Sequence, residues 1–130
     1  MKILLIVKAA VEILAGLALV AVPSVAVSLV LGQPLTEPVG VVLARIAGIA
    51  AAALGIACWL AHSERQNGTT IGLIWALLFY DFSFVLILVF AHVRIPLSGI
   101  GLWPVVALHS GLGVWSLLCL RKVAHRAVER

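Results

Sequence analysis

Residues 71–91 read IGLIWALLFYDFSFVLILVFA, twenty-one positions with one charged side chain, Asp81, at their centre. A helix rises about 1.5 Å per residue and the hydrocarbon core of a bilayer is about 30 Å thick, so about 20 apolar residues make one crossing. Three further runs have that length: 3–22, trailing weakly through 25–31, then 39–61 and 100–120. They are long, continuous and rich in Leu and Ala, whereas barrel strands are half as long and alternate in polarity. Between them lie turn residues: Gly32 to Pro38, the polar stretch His62 to Thr70, and His92 to Gly99. Short connections set successive helices antiparallel. The sequence thus predicts an all-α, integral membrane, antiparallel four-helix bundle. It forms a single transmembrane domain over 1–130, with helices at about 3–31 (broken at Pro23), 39–61, 71–91 and 100–120.

Composition supports this class. Hydrophobic residues make up 64% of the chain and charged ones 11%, which leaves no room for a soluble catalytic domain of ordinary size. The run 3–31 is too long for an untilted span, so the part after Pro23 is expected to kink or lie at the interface. Lys2, an apolar stretch and Ser24-Val25-Ala26 resemble a signal peptide loosely, but Lys8 and Glu12 interrupt the apolar stretch, and a retained helix is expected.

Basic residues set the orientation. Lys2, Lys8, Arg65, Arg121, Lys122, Arg126 and Arg130 fall on one side if both termini and the second loop share it, with Arg94 opposite. This places both termini in the cytoplasm and the protein in the inner membrane. The net charge of +4 is then a topology signal with some attraction for anionic membrane lipids, not a nucleic-acid footprint. Cys58 and Cys119 show no C-x-x-C pattern and read as packing residues. Trp59, Trp75 and Trp103 sit where interfacial anchors belong, and Trp115 lies deeper.

Each apolar run carries one ionisable residue near its middle: Glu12, Arg45, Asp81 and His109. Counting helix rise from the ends of the runs puts Glu12, Asp81 and His109 at ~14–15 Å depth and Arg45 at ~9 Å. An Arg or Asp at the centre of a lone helix costs about 2.5–3.5 kcal/mol, so these groups should turn inward and share a polar layer that binds a ligand or a proton, or organises the bundle. Arg45 with Glu12 and Asp81 with His109 are the first pairs to expect, and exchanged partners fit equally well. Lys8, one turn from Glu12, could compete for it or reach the cytoplasmic face. Gly48, Ala52, Gly55 and Gly113 would let backbones approach. Tyr80 and His92 are secondary candidates, as a second contact and as a gate or interfacial residue. No metal-ligand spacing, nucleotide loop or complete catalytic triad is present, so neither catalytic nor metal residues are expected, and an enzyme is the less favoured class.

Resemblances are short. His109-Ser110-Gly111-Leu112-Gly113-Val114-Trp115 resembles the H-x-x-x-G-x-W stretch of haem-b-binding anchor subunits of succinate dehydrogenase, which implies a haem ligand at His109 if another chain supplies the opposite one. That family has three spans, with the motif in an earlier one. Four short helices with a glutamate, Glu12, on the first are similar in plan to small multidrug-resistance transporters, although Arg45 and Asp81 are foreign to them. Arg45-x-x-Gly48 resembles uncharacterised four-span bacterial membrane proteins. The leading expectation is a non-enzymatic membrane component, without a cofactor, that binds partner helices or a small apolar or cationic ligand. It would self-associate or join other membrane subunits. The alternatives are an oligomeric proton-coupled small-molecule transporter and a haem- or quinone-associated subunit.

Overall fold

Proline, glycine and asparagine set where the helices begin and end. The computed structural model describes residues 1–64 and 67–128, the last three as backbone, so Arg65 and Arg130 lie outside the described residues. Helix α1 spans Lys2–Ala21 and α2 spans Pro23–Leu31. Pro23 cannot donate a backbone hydrogen bond, so it ends α1 and sits in the first turn of α2, where that bond is not needed. Helix α3, Pro38–Ala61, opens on a proline in the same way. Helix α4, Gly68–Arg94, is capped by Asn67, whose side chain accepts the Thr70 N–H at 2.9 Å. Helix α5, Leu102–Val128, continues two turns past the apolar run, through Arg121, Lys122 and His125. The four long helices are each long and apolar enough to cross a membrane.

Two helix pairs form the body. In the first, Gly48 of α3 faces Gly16, Leu19 and Val20 of α1, and Gly55 faces Ala9 and Ile13. Numbers fall on α1 as they rise on α3, so the two run in opposite directions along a seam of small residues. In the second, His92 meets Trp103, Phe84 and Asp81 meet His109, and Leu78 approaches Gly113, so α4 and α5 are likewise opposed. The pairs join at one end through an apolar core of Leu5, Ala9, Cys58, Ile74, Leu77 and Leu120, with Leu4, Leu112 and Cys119 beside it. Both cysteines are buried and free.

Every helix leaves large apolar side chains exposed. Leu14, Leu43, Ile49, Phe79, Ile87 and Val114 are among the large side chains left exposed, as are all four tryptophans. Trp115, expected deeper, is one of them: it lies on the same side of α5 as the buried Leu112 and Cys119, and with Cys119, Met1 and Ile3 it lines a hollow at the surface.

Helix α2 is secured at its far end by the loop between α4 and α5. Gly99 N–H donates to Val30 O at 2.9 Å and Gly101 N–H to Leu29 O at 2.8 Å, satisfying carbonyls a helix end leaves open. A Cβ on Gly99 would lie 2.2 Å from Leu29 O. Gly99→Ala is therefore expected to detach this loop, at a cost of about 1–2 kcal/mol for the lost hydrogen bonds, read as a lowered Tm in detergent.

Candidate functional site

Beyond the apolar core, the interior turns polar. Lys8, Glu12, Asp81, His109 and Ser116 are buried in one zone, the first three at no more than 1% exposure. Ser116 satisfies itself within α5 by donating to Leu112 O at 2.9 Å. The others satisfy one another across α1, α4 and α5.

Asp81 is the hub. Its Oδ1 accepts from Lys8 Nζ and from His109 Nδ1, the latter at 2.8 Å. A carboxylate only accepts, so the Nδ1 of His109 carries the proton in this bond. Lys8 Nζ also stands 3.9 Å from Glu12 Oε1, an ion pair one helical turn along α1, and lies 5.6 Å from the centre of the Tyr80 ring. Tyr80 O–H donates to Glu12 Oε2 at 3.1 Å. The His109 ring stacks on Phe84 at 4.4 Å and meets the edge of Tyr80 at 5.8 Å, which fixes its orientation. Two oxygens, Glu12 Oε1 and Asp81 Oδ2, are buried with no hydrogen bond from a described residue.

Of the four residues expected to share a layer, three meet: Glu12, Asp81 and His109 offer donor atoms within 4.8 Å of one another. Arg45 does not join them and is exposed on α3. The α1–α3 register explains why. Glu12 lies between Gly16, which faces Gly48 and Ala52, and Ala9, which faces Gly55, so it is level with residues 52–55. Arg45 is then ~10–15 Å away along the axis. The expected Arg45–Glu12 pair is replaced by Lys8 and Tyr80, whereas Asp81 and His109 are in contact. Lys8 was legible as an i, i+4 neighbour of Glu12, but nothing local announced its bond to Asp81. Phe84 was missed, although it follows Tyr80 by four residues and Asp81 by three, on the same helix face. His92 is half-buried, edge-on to Trp103 at 5.3 Å, and stands apart from the cluster.

The donor spacing of Glu12, Asp81 and His109 suits a cation, and an internal cation, the Lys8 ammonium, is the one bonded there. His109 Nδ1 donates to Asp81, so a haem would have to be held through Nε2, and His92 stands apart beside Trp103 and supplies no opposite ligand.

One side of the cluster borders a groove. Between α4 and α5 a cavity of about 360 Å³ is lined by Leu78, Phe82, Val85, Val114 and Leu117, with Asp81, His109, Ser110 and Gly113 completing it. Gly113 opens this space: its missing side chain would stand 3.4 Å from Asp81 Cβ and 4.0 Å from Asp81 Oδ2. The unbonded oxygen of Asp81 therefore lies beside Gly113, enclosed beneath an apolar groove. Comparison of the chain with protein-family models, with curated proteins and with solved structures yields no match.

Proposed function

We propose that the protein is an integral component of the cytoplasmic membrane that takes an apolar molecule from the bilayer into the α4–α5 groove, and that it is a binding component rather than an enzyme. The observation that carries this reading is the groove itself: about 360 Å³, walled by Leu78, Phe82, Val85, Val114 and Leu117, with the Asp81–His109 pair beneath it. Ligand sites of this kind are mostly apolar, with a few polar groups that fix orientation. The distribution of polarity supports the membrane setting. The ionisable cluster lies inside and large apolar side chains cover the outside, the reverse of a water-soluble bundle. In this setting the two opposed helix pairs form an antiparallel four-span bundle with both ends in the cytoplasm, as Lys2, Arg121 and Lys122 favour. Helix α2 would lie at the outer face.

Lys8, Asp81, Glu12, Tyr80 and His109 then hold the floor of the groove rigid while the walls contact the ligand. None of these is a nucleophile paired with a base and an oxyanion site, which is the reason for preferring binding to covalent chemistry.

Photolabelling tests the proposal. A long-chain alkyl diazirine incorporated into nanodiscs with the protein is expected to mark Leu78, Phe82, Val114 and Leu117 above the level at other exposed positions such as Ile46 and Ile49. Gly113→Leu, which fills the groove and leaves every charge in place, is expected to remove that excess. Equal labelling of all outward faces, unchanged by Gly113→Leu, would overturn it.

A further inference from the structure

We propose that the hollow between the start of α1 and the last turns of α5 binds an anionic phospholipid whose headgroup carries no amine; this rests on the membrane setting proposed above and not on the α4–α5 groove.

Leu4 of α1 is fully buried and packs with Leu112 and Cys119 of α5, which brings the two helices together at this end. Beside that contact a hollow of about 390 Å³ is lined by Lys2 and Ile3 on α1 and by Trp115, Cys119, Lys122 and Val123 on α5. Positions 115, 119, 122 and 123 have the i, i+4, i+7, i+8 spacing of one helix face.

The hollow is basic at one end and apolar at the other. Lys122 stands twenty residues from Leu102, or ~30 Å at helix rise, so an α5 that enters the hydrocarbon at Leu102 brings Lys122 to the opposite boundary. Trp115 and Cys119 are then ~10 Å and ~5 Å inside that boundary, while Lys2 opens α1 at the same end. A phospholipid has this profile, with its phosphate at the boundary and its acyl chains beneath. The chains lie against the Trp115 indole and against Ile3, which is 66% exposed.

Charge selects the headgroup. Lys2 and Lys122 are exposed, and neither forms an ion pair or hydrogen bond with a described residue. Glu64, the only carboxylate among the described residues at this end, lines a separate hollow with Lys2, His62 and Thr70. Two ammonium groups thus border one concavity that no described carboxylate lines, and a phosphodiester between them supplies the anion. A zwitterionic headgroup would add a further cation to the same place, so one without an amine is preferred. Free phosphate would satisfy the lysines but leave Ile3, Trp115 and Val123 without a partner, so the source is the lipid.

The test uses the full chain in nanodiscs of equal parts dioleoylphosphatidylglycerol and dioleoylphosphatidylcholine, with the lipids still attached on release counted by native mass spectrometry. Phosphatidylglycerol is expected to be retained at least about fivefold over phosphatidylcholine, the factor for one lysine near an anionic headgroup. Lys122→Gln is expected to bring the ratio below about twofold. Arg121→Gln makes the same charge change at an exposed residue outside the hollow and is expected to leave the ratio unchanged. Trp115→Ala, which removes the apolar wall and keeps both lysines, is expected to lower retention of both lipids. Equal losses in Arg121→Gln and Lys122→Gln would show diffuse attraction to a basic end and overturn the site, as would undiminished retention in Trp115→Ala. A preference abolished by excess inorganic phosphate would make a soluble anion the ligand and overturn the lipid assignment. A chain that enters nanodiscs and retains the two lipids equally would overturn the site alone, whereas one that does not enter them would overturn the membrane setting as well.

Discussion

Lys8→Met is expected to be the most damaging single change in the interior, costing about 3–5 kcal/mol in denaturant unfolding in detergent, the range for removing one partner of a buried ion pair. The methionine fills most of the lysine volume, so the loss is electrostatic. Asp81 and Glu12, each 1% exposed, would face one another without the ammonium that touches both. Asp81→Asn is expected to cost clearly less. It removes the charge that pairs with Lys8, but an amide oxygen at the Oδ1 position still accepts from Lys8 and His109, and Glu12 at 3.9 Å from the ammonium remains charged against it. The double variant Lys8→Met/Asp81→Asn removes one charge of each sign and is expected to recover more than half of the Lys8→Met loss. This ordering separates a cluster held by charge pairing from one in which packing alone matters. If Asp81→Asn proves as damaging as Lys8→Met, or the double variant simply adds the two costs, charge pairing does not hold the cluster together.

Gly16→Ala is expected to cost about 3 kcal/mol, the upper end of the overpacking range. The added Cβ would lie 2.5 Å from Gly48 O, 2.7 Å from Ala52 N and 2.9 Å from Ala52 Cβ. Two of these atoms are backbone, so no side chain can rotate away and α1 must separate from α3. Small residues are the means by which helices pack closely where burial of apolar surface gives no driving force between them. Separation would also shift Lys8 and Glu12 relative to Asp81, because the polar residues of α1 sit on the helix that the seam positions. Gly72→Ala is the control. Nothing lies within 4 Å of the added atom, and alanine in place of an exposed helical glycine is expected to be neutral or to stabilise by up to about 1 kcal/mol. Equal effects at Gly16 and Gly72 would show that helix propensity, and not the seam, governs both.

Much of the helix plan could be read directly. Four runs of about twenty apolar residues correspond to four long helices, because runs rich in Leu and Ala favour the helix at position after position. Pro23 and Pro38 fix local breaks through properties of one residue each. That Glu12, Asp81 and His109 come to one level was also legible, since it needs only a count of residues and a constant rise. Arg45 misled for a matching reason: counting from helix ends takes the ends to be level, whereas the α1–α3 register sets it ~10–15 Å along the axis from Glu12.

By itself, the amino-acid order determined what is periodic or additive along one strand of chain: helix lengths, breakpoints and an approximate height for each ionisable group. Only tertiary structure decided which side of each helix faces which neighbour. That choice bonded Lys8 to Asp81 across seventy-three positions, turned Arg45 outward and left one oxygen of Asp81 beside Gly113. The physical reason is that rotation about a helix axis and sliding along it cost little within an isolated apolar helix. Close approach at Gly16 and Gly48, and pairing of buried charge, remove that freedom only when the helices meet.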